Sequence, residues 1–179
     1  MKMIETQKEV KFPDDTLQLA QQLIQRYPEG RHKSALLPLL HLAQAEWSWL
    51  SPEVMDYIAG ILKIQPIEVY EVATFYTMFH LKPTGKYVLE VCRTGPCCLL
   101  GAENIIEHIE NKLNIKVGET SADGIFTLKT VECLAACGYA PVLQVQLKEK
   151  GTSSNSTYQY FENLTEDKTD EMMDQLSKR

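Results

Sequence analysis

Five cysteines occur in the 179 residues, all between positions 92 and 137. Cys92 and Cys97 are separated by four residues and Cys133 and Cys137 by three, and Cys97 lies 36 positions before Cys133. A disulfide framework would scatter its cysteines and belong to a secreted chain, so thiols grouped this way suggest a metal site. Four thiolates suit either Zn²⁺ or an iron–sulfur cluster.

Spacing helps to separate the two. Structural zinc sites usually draw on CxxC knuckles, whose two-residue spacer wraps both sulfurs round one ion, and neither pair here is CxxC. A two-iron cluster is wider, and longer spacers let each loop serve one iron. Such a group passes single electrons and breaks no bonds itself. Gly95 and Pro96 before Cys97, and Gly138 after Cys137, offer close backbone approach and free N–H groups for cluster sulfurs. A helix starting near Cys98 would aim its N-terminus at the anionic site.

Other readings stand beside this one. For any single cysteine, a buried inert thiol is the commoner state. Cys98 makes a rival first pair with Cys92; Cys97 is read as the ligand and Cys98 as a packing thiol. A thioredoxin-type dithiol needs CxxC at a helix start, which is absent. His32, His41, His80 and His108 lie in no HxxxH or CxH arrangement, so a Rieske-type site is excluded. No GxGxxG, GxxxxGK[ST] or GxSxG occurs, so nucleotide fingerprints and nucleophile elbows are missing. Trp47, Trp49, Phe75, Tyr76 and Phe79 read as bundle core in preference to subunit contact.

The elements that position the thiols divide in two. Residues 1–83 read as a helical bundle. Leu17, Ala20, Ile24 and Tyr27 recur at helical spacing until Pro28-Glu29-Gly30. A second helix runs from near Lys33 to Leu50, a third starts at Ser51-Pro52 and ends at Leu62, and a fourth runs from Pro66 to about Phe75. Lys82-Pro83-Thr84-Gly85 is a breaker cluster, and residues 84–179 form a second domain. There, strand-like alternation over Lys86–Cys92 is followed by a helix over Leu99–Leu113. Strands follow at Phe126–Val131, Val142–Leu147 and Tyr158–Phe161, then a helix capped by Thr165. The last two strands pair across a long polar loop, Lys148–Ser156. The fold class is α+β: a bundle followed by a small α/β layer with a mixed sheet, whose strand ends bring the cysteine pairs to one edge.

Net charge −6 is spread along the chain, which disfavours nucleic-acid binding through a phosphate-neutralising patch. No apolar stretch approaches the roughly 20 residues a membrane span needs. Met1–Asp15 shows neither a secretory h-region nor Arg-rich amphipathic character, so a cytoplasmic protein is expected.

Three stretches carry a resemblance. They are Ser34-Ala35-Leu36-Leu37-Pro38-Leu39-Leu40-His41-Leu42-Ala43-Gln44, Val69-Tyr70-Glu71-Val72-Ala73-Thr74-Phe75-Tyr76, and Val131-Glu132-Cys133-Leu134-Ala135-Ala136-Cys137-Gly138-Tyr139-Ala140-Pro141. With the joint CxxxxC and CxxxC spacing, the chain resembles, from about Asp15 to Leu176, the thioredoxin-like [2Fe-2S] subunits of respiratory complex I, the E or 24 kDa family.

The resemblance implies a thioredoxin-like domain after the bundle, with one [2Fe-2S] cluster held by Cys92, Cys97, Cys133 and Cys137. It implies an electron-transfer subunit of NADH:quinone oxidoreductase, with no complete active site of its own, on the cytoplasmic peripheral arm. Its partner would be the FMN-containing, NADH-oxidising subunit, among other peripheral-arm subunits. Similar modules serve NAD-linked hydrogenases and formate dehydrogenases, and a zinc-binding interaction module remains a further alternative. Pro141 matches the position where thioredoxin-like folds often carry a cis proline. Departures are the extra thiol of Cys98, Leu100 where relatives often have Arg, and the length of Lys148–Ser156.

Overall fold

The computed structural model describes residues 10–147 and 157–178. The Lys148–Ser156 loop and most of the Met1–Asp15 stretch lie outside them. The described residues form two compact units, one reaching Pro83 and the other starting at Thr84.

The first unit holds α1 (Asp14–Gln25), α2 (Leu36–Trp47), α3 (Pro52–Leu62) and α4 (Pro66–Phe75). Ser51 starts α3 as its sequence suggests: its hydroxyl accepts from Val54 N–H at 3.3 Å, and Pro52 fills the first helical position, where no N–H is needed. The second helix is shorter than expected. Pro38 has no N–H to give to Ser34, so the chain before it tightens into a 3₁₀ turn over His32–Ala35. Ser48, at φ +69°, ends the helix three residues early.

Leu39, Leu40, Leu50, Ile58 and Val69 are fully buried at the centre of this unit. Phe12 stacks on Trp47 at 4.9 Å and meets Tyr57 edge-on at 5.4 Å. Gln44 clamps the segment after α4 from both sides, donating to the Met78 carbonyl at 2.9 Å and accepting from His80 N–H at 2.6 Å. Phe79 is buried, but Phe75 and Tyr76 are not core: they are 77% and 39% exposed. Val69 and Ala73 take the buried stripe of α4, and Phe75, two residues on from Ala73, turns to the opposite face.

The second unit carries β1 (Tyr87–Cys92), α5 (Gly95–Leu99), α6 (Ala102–Leu113), β2 (Phe126–Val131), β3 (Leu143–Leu147), β4 (Thr157–Phe161) and α7 (Glu166–Ser177). The sheet order is β2-β1-β3-β4, with β1 and β2 parallel and the other neighbours antiparallel. The expected helix over Leu99–Leu113 is broken in two, because Gly101 takes φ +95°, a left-handed conformation glycine adopts at little cost.

One side of the sheet, through Leu89, Leu128, Leu143 and Val145, packs with Ile105 and Ile109 of α6 and Met172, Met173 and Leu176 of α7. Burying each of these side chains contributes roughly 1.5–3 kcal/mol. Thr165 caps α7 by accepting from Lys168 N–H at 3.3 Å. Gly85 enters β1 against the backbone of Ile125 so closely that a Cβ would lie 2.8 Å from its carbonyl carbon. Among the described residues, no helix is long and apolar enough to cross a membrane.

Candidate metal centre

Parallel pairing makes β1 and β2 end on the same rim. Cys92 is the last residue of β1 and pairs with Val131, the last of β2; Cys133 follows two residues later. Cys97 sits in α5, immediately after β1, and Cys137 opens a 3₁₀ turn over Cys137–Tyr139. All five thiols are free.

The four predicted ligands fall into two pairs. The sulfurs of Cys133 and Cys137 are 3.5 Å apart. Two thiolates on one tetrahedral ion at a bond length of about 2.3 Å lie about 3.8 Å apart, so this pair already has the span of one metal. Cys92 and Cys97 share a hydrogen bond and form the second pair. Among the described residues, no three His, Cys, Asp or Glu gather as they would round one ion.

Each pair holds one thiol low and one high. Ala135 N–H, at 3.3 Å, and the Cys137 thiol hold Cys133 below the ordinary thiol value, and the hydrogen bond with Cys133, reinforced by its charge, pushes Cys137 up. Burial pushes Cys97 up to about 11, reinforced by the Cys92 sulfur. Burial also works against Cys92, but hydrogen bonds from Thr94, Leu134 N–H and Cys97 outweigh it and leave this thiol low. Metal ligation at these thiols would release such retained protons.

Thr94 was not legible as part of the site. Its hydroxyl is 3.4 Å from the Cys92 sulfur and also hydrogen-bonds to Cys133, tying the two loops together. Cys98 differs from its reading as a packing thiol: it is exposed, whereas Cys97 is 2% exposed. One step along α5 turns a side chain about 100°, enough to carry Cys98 out to solvent. Among the described residues, a Cβ at Gly95 or Gly138 would meet no atom of the chain within 4 Å, which leaves both positions open on the outer side of their loops. The Ala140–Pro141 bond, just after the second pair, is cis.

Comparisons with known proteins find relatives along most of the chain. Residues 20–177 match the family described as thioredoxin-like [2Fe-2S] ferredoxin. The chain is 43% identical over 166 residues to the E subunit of NADH-quinone oxidoreductase from Rickettsia conorii, covering 92% of this chain and 93% of that protein. Its counterpart from Rickettsia prowazekii is 43% identical over 165 residues, covering 92% and 87%. Among solved structures, an NAD⁺-reducing [NiFe]-hydrogenase in its air-oxidized state superposes with a TM-score of 0.64 at 19% identity. That match spans 79% of this chain and 22% of the hydrogenase chain, and establishes a shared fold alone. With a family match over most of its length and relatives above 40% identity along nearly all of it, this chain belongs to the thioredoxin-like [2Fe-2S] ferredoxin family.

Proposed function

We propose that this chain is the electron-transferring E subunit of an NADH-quinone oxidoreductase, holding one [2Fe-2S] cluster through Cys92, Cys97, Cys133 and Cys137. The observation that carries the assignment is the convergence of two thiol pairs on one sheet rim. When bound, the cluster takes up and returns one electron at a time. The chain's own residues supply four sulfurs, and Ala135 and Leu134 N–H groups aimed at them. Such hydrogen bonds stabilise the anionic sulfurs and raise the tendency to accept an electron.

The partner is an FMN- and NADH-binding subunit, within a peripheral arm on the cytoplasmic side of the membrane. Flavin and nicotinamide chemistry then belongs to that partner, in keeping with the missing nucleotide fingerprints here. Leu99 is 87% exposed, Leu100 61% and Tyr139 55%, all close in sequence to the thiols. Exposed apolar side chains around a redox site suit burial against another subunit, which would also keep water from the site. The hydrogenase and formate dehydrogenase alternatives carry less weight, because the relatives at 43% identity bear the quinone oxidoreductase name.

The test is anaerobic purification of the full chain with iron, sulfide and zinc analysis and a visible spectrum before and after dithionite. Two irons and a brown colour that bleaches on reduction are expected. One zinc and no colour would overturn the assignment in favour of a zinc-binding interaction module.

A further inference from the structure

Beneath the cysteine loops a row of polar side chains crosses the sheet from edge to edge. Lys129 of β2 stands opposite Glu90 of β1, Glu90 opposite Gln144 of β3, and Gln144 opposite Tyr160 of β4. Registered neighbours share a face, and strand alternation sets this row on the side away from Leu89, Leu128 and Val145. Gln144 donates to a Glu90 carboxylate oxygen at 2.6 Å. The Tyr160 hydroxyl donates to the carbonyl of Leu134, next to Cys133, at 3.4 Å.

Glu90 is only 4% exposed, an unusual place for a carboxylate in the central strand of a sheet. Such a group is tolerated when it is hydrogen-bonded and near an opposite charge; Gln144 supplies the hydrogen bond, and Lys129, its register partner, feels the Glu90 charge. Lys129 is half-buried; burial lowers its pKa, and the Glu90 charge pulls it back up. Val88 and its register partners Thr127 and Gln146, on the same face, are buried as well, so the row lies on a covered side of the sheet. What is close is the thiol rim: Glu90 precedes Cys92 by two residues on the same face, about 6.6 Å of strand.

We propose that Glu90 and Lys129 set the reduction potential of the group held by the four cysteines, with Gln144 fixing the carboxylate in place. This rests on the cysteine assignment above. Reduction adds one electron, and so one negative charge, at the rim. A buried carboxylate nearby opposes that addition, and a cation in the next strand favours it. The pair thus acts as two opposed settings of a single property, without touching the cluster.

The experiment is an anaerobic, dye-mediated redox titration of the full cluster-containing chain, comparing wild type, Glu90→Gln, Lys129→Gln and the double variant. Glu90→Gln is expected to favour the reduced form about tenfold at fixed potential, a positive shift of about 59 mV for one electron. Lys129→Gln is expected to shift it about as far the other way, and the double variant to return within about threefold of wild type. Single variants that keep full iron content and spectrum yet titrate within about twofold of wild type would overturn the proposal, even if their melting temperatures fall. If Glu90→Gln fails to fold, Lys129→Gln decides the matter alone. A wild-type chain that takes up no iron overturns the cysteine assignment and this inference with it, an outcome separate from unchanged potentials.

Discussion

Cys92 and Val131 are paired partners at the shared end of β1 and β2, so Cys133 emerges two residues beyond the rim that Cys92 itself occupies. The two thiol pairs therefore meet because the strands run parallel; an antiparallel pair would have sent their loops to opposite ends of the sheet.

The adjacent cysteines of α5 give the sharpest test of the site. Cys97→Ser is expected to lose at least half of the bound iron and visible absorbance, because it removes a buried thiol paired with Cys92. Cys98→Ser, at an exposed position, is expected to keep both within about 10% of wild type. Iron content and the spectrum of purified protein check the pair, and equal losses would contradict the assignment.

Gly85→Ala is expected to destabilise the second unit by about 1–3 kcal/mol, the usual cost of forcing atoms into a packed site. The added Cβ would meet the Ile125 backbone, which has no flexible end to move aside. Urea denaturation followed by circular dichroism measures this loss.

Removing the α3 cap by Ser51→Ala is expected to cost about 1 kcal/mol. Val54 N–H would lose its side-chain acceptor at a position that is buried. The denaturation midpoint should fall while the cluster spectrum stays unchanged, which separates a fold effect from a site effect.

Acid sensitivity is expected from the link between α6 and α7. Asp170 accepts from Lys112 at 2.9 Å and shares a hydrogen bond with His108 at 2.7 Å, and these partners hold its carboxyl below the ordinary value of 3.8. The unfolded chain therefore binds the proton first, and stability present above pH 3.8 is lost as pH falls through the lower folded value. Asp170→Asn should be less stable than wild type at about pH 6 and lose less on acidification, as read from urea midpoints at about pH 6 and about pH 3.

Much of this was legible in the sequence because the signals were local. Ser51-Pro52 and Thr165 name their own helix starts, and the β strands follow from alternation. What was hidden depended on direction or distance. Whether Cys97 or Cys98 faces inward depends on where α5 begins, which Gly95-Pro96 alone does not disclose. The exposure of Phe75 depends on which stripe of α4 is taken by Val69 and Ala73. Alternation put Glu90 with Val88 on one face of its strand but did not show that this face is buried, with Glu90 4% exposed beside Lys129 and Gln144. Gly85 looked like a simple breaker, and its close contact comes from a segment some forty residues away in the sequence.

The parallel β1–β2 ladder also orders events during synthesis. The helices up to Phe75 join neighbours a few residues apart and can form as the chain leaves the ribosome. Tyr87–Cys92 must instead wait for Phe126–Val131, across the whole α5–α6 crossover, before its ladder can close. Until then the two thiol pairs belong to separate, loosely connected stretches. With the proposed ligands, a complete site would exist only once Cys133 and Cys137 in the second half of the chain have been made.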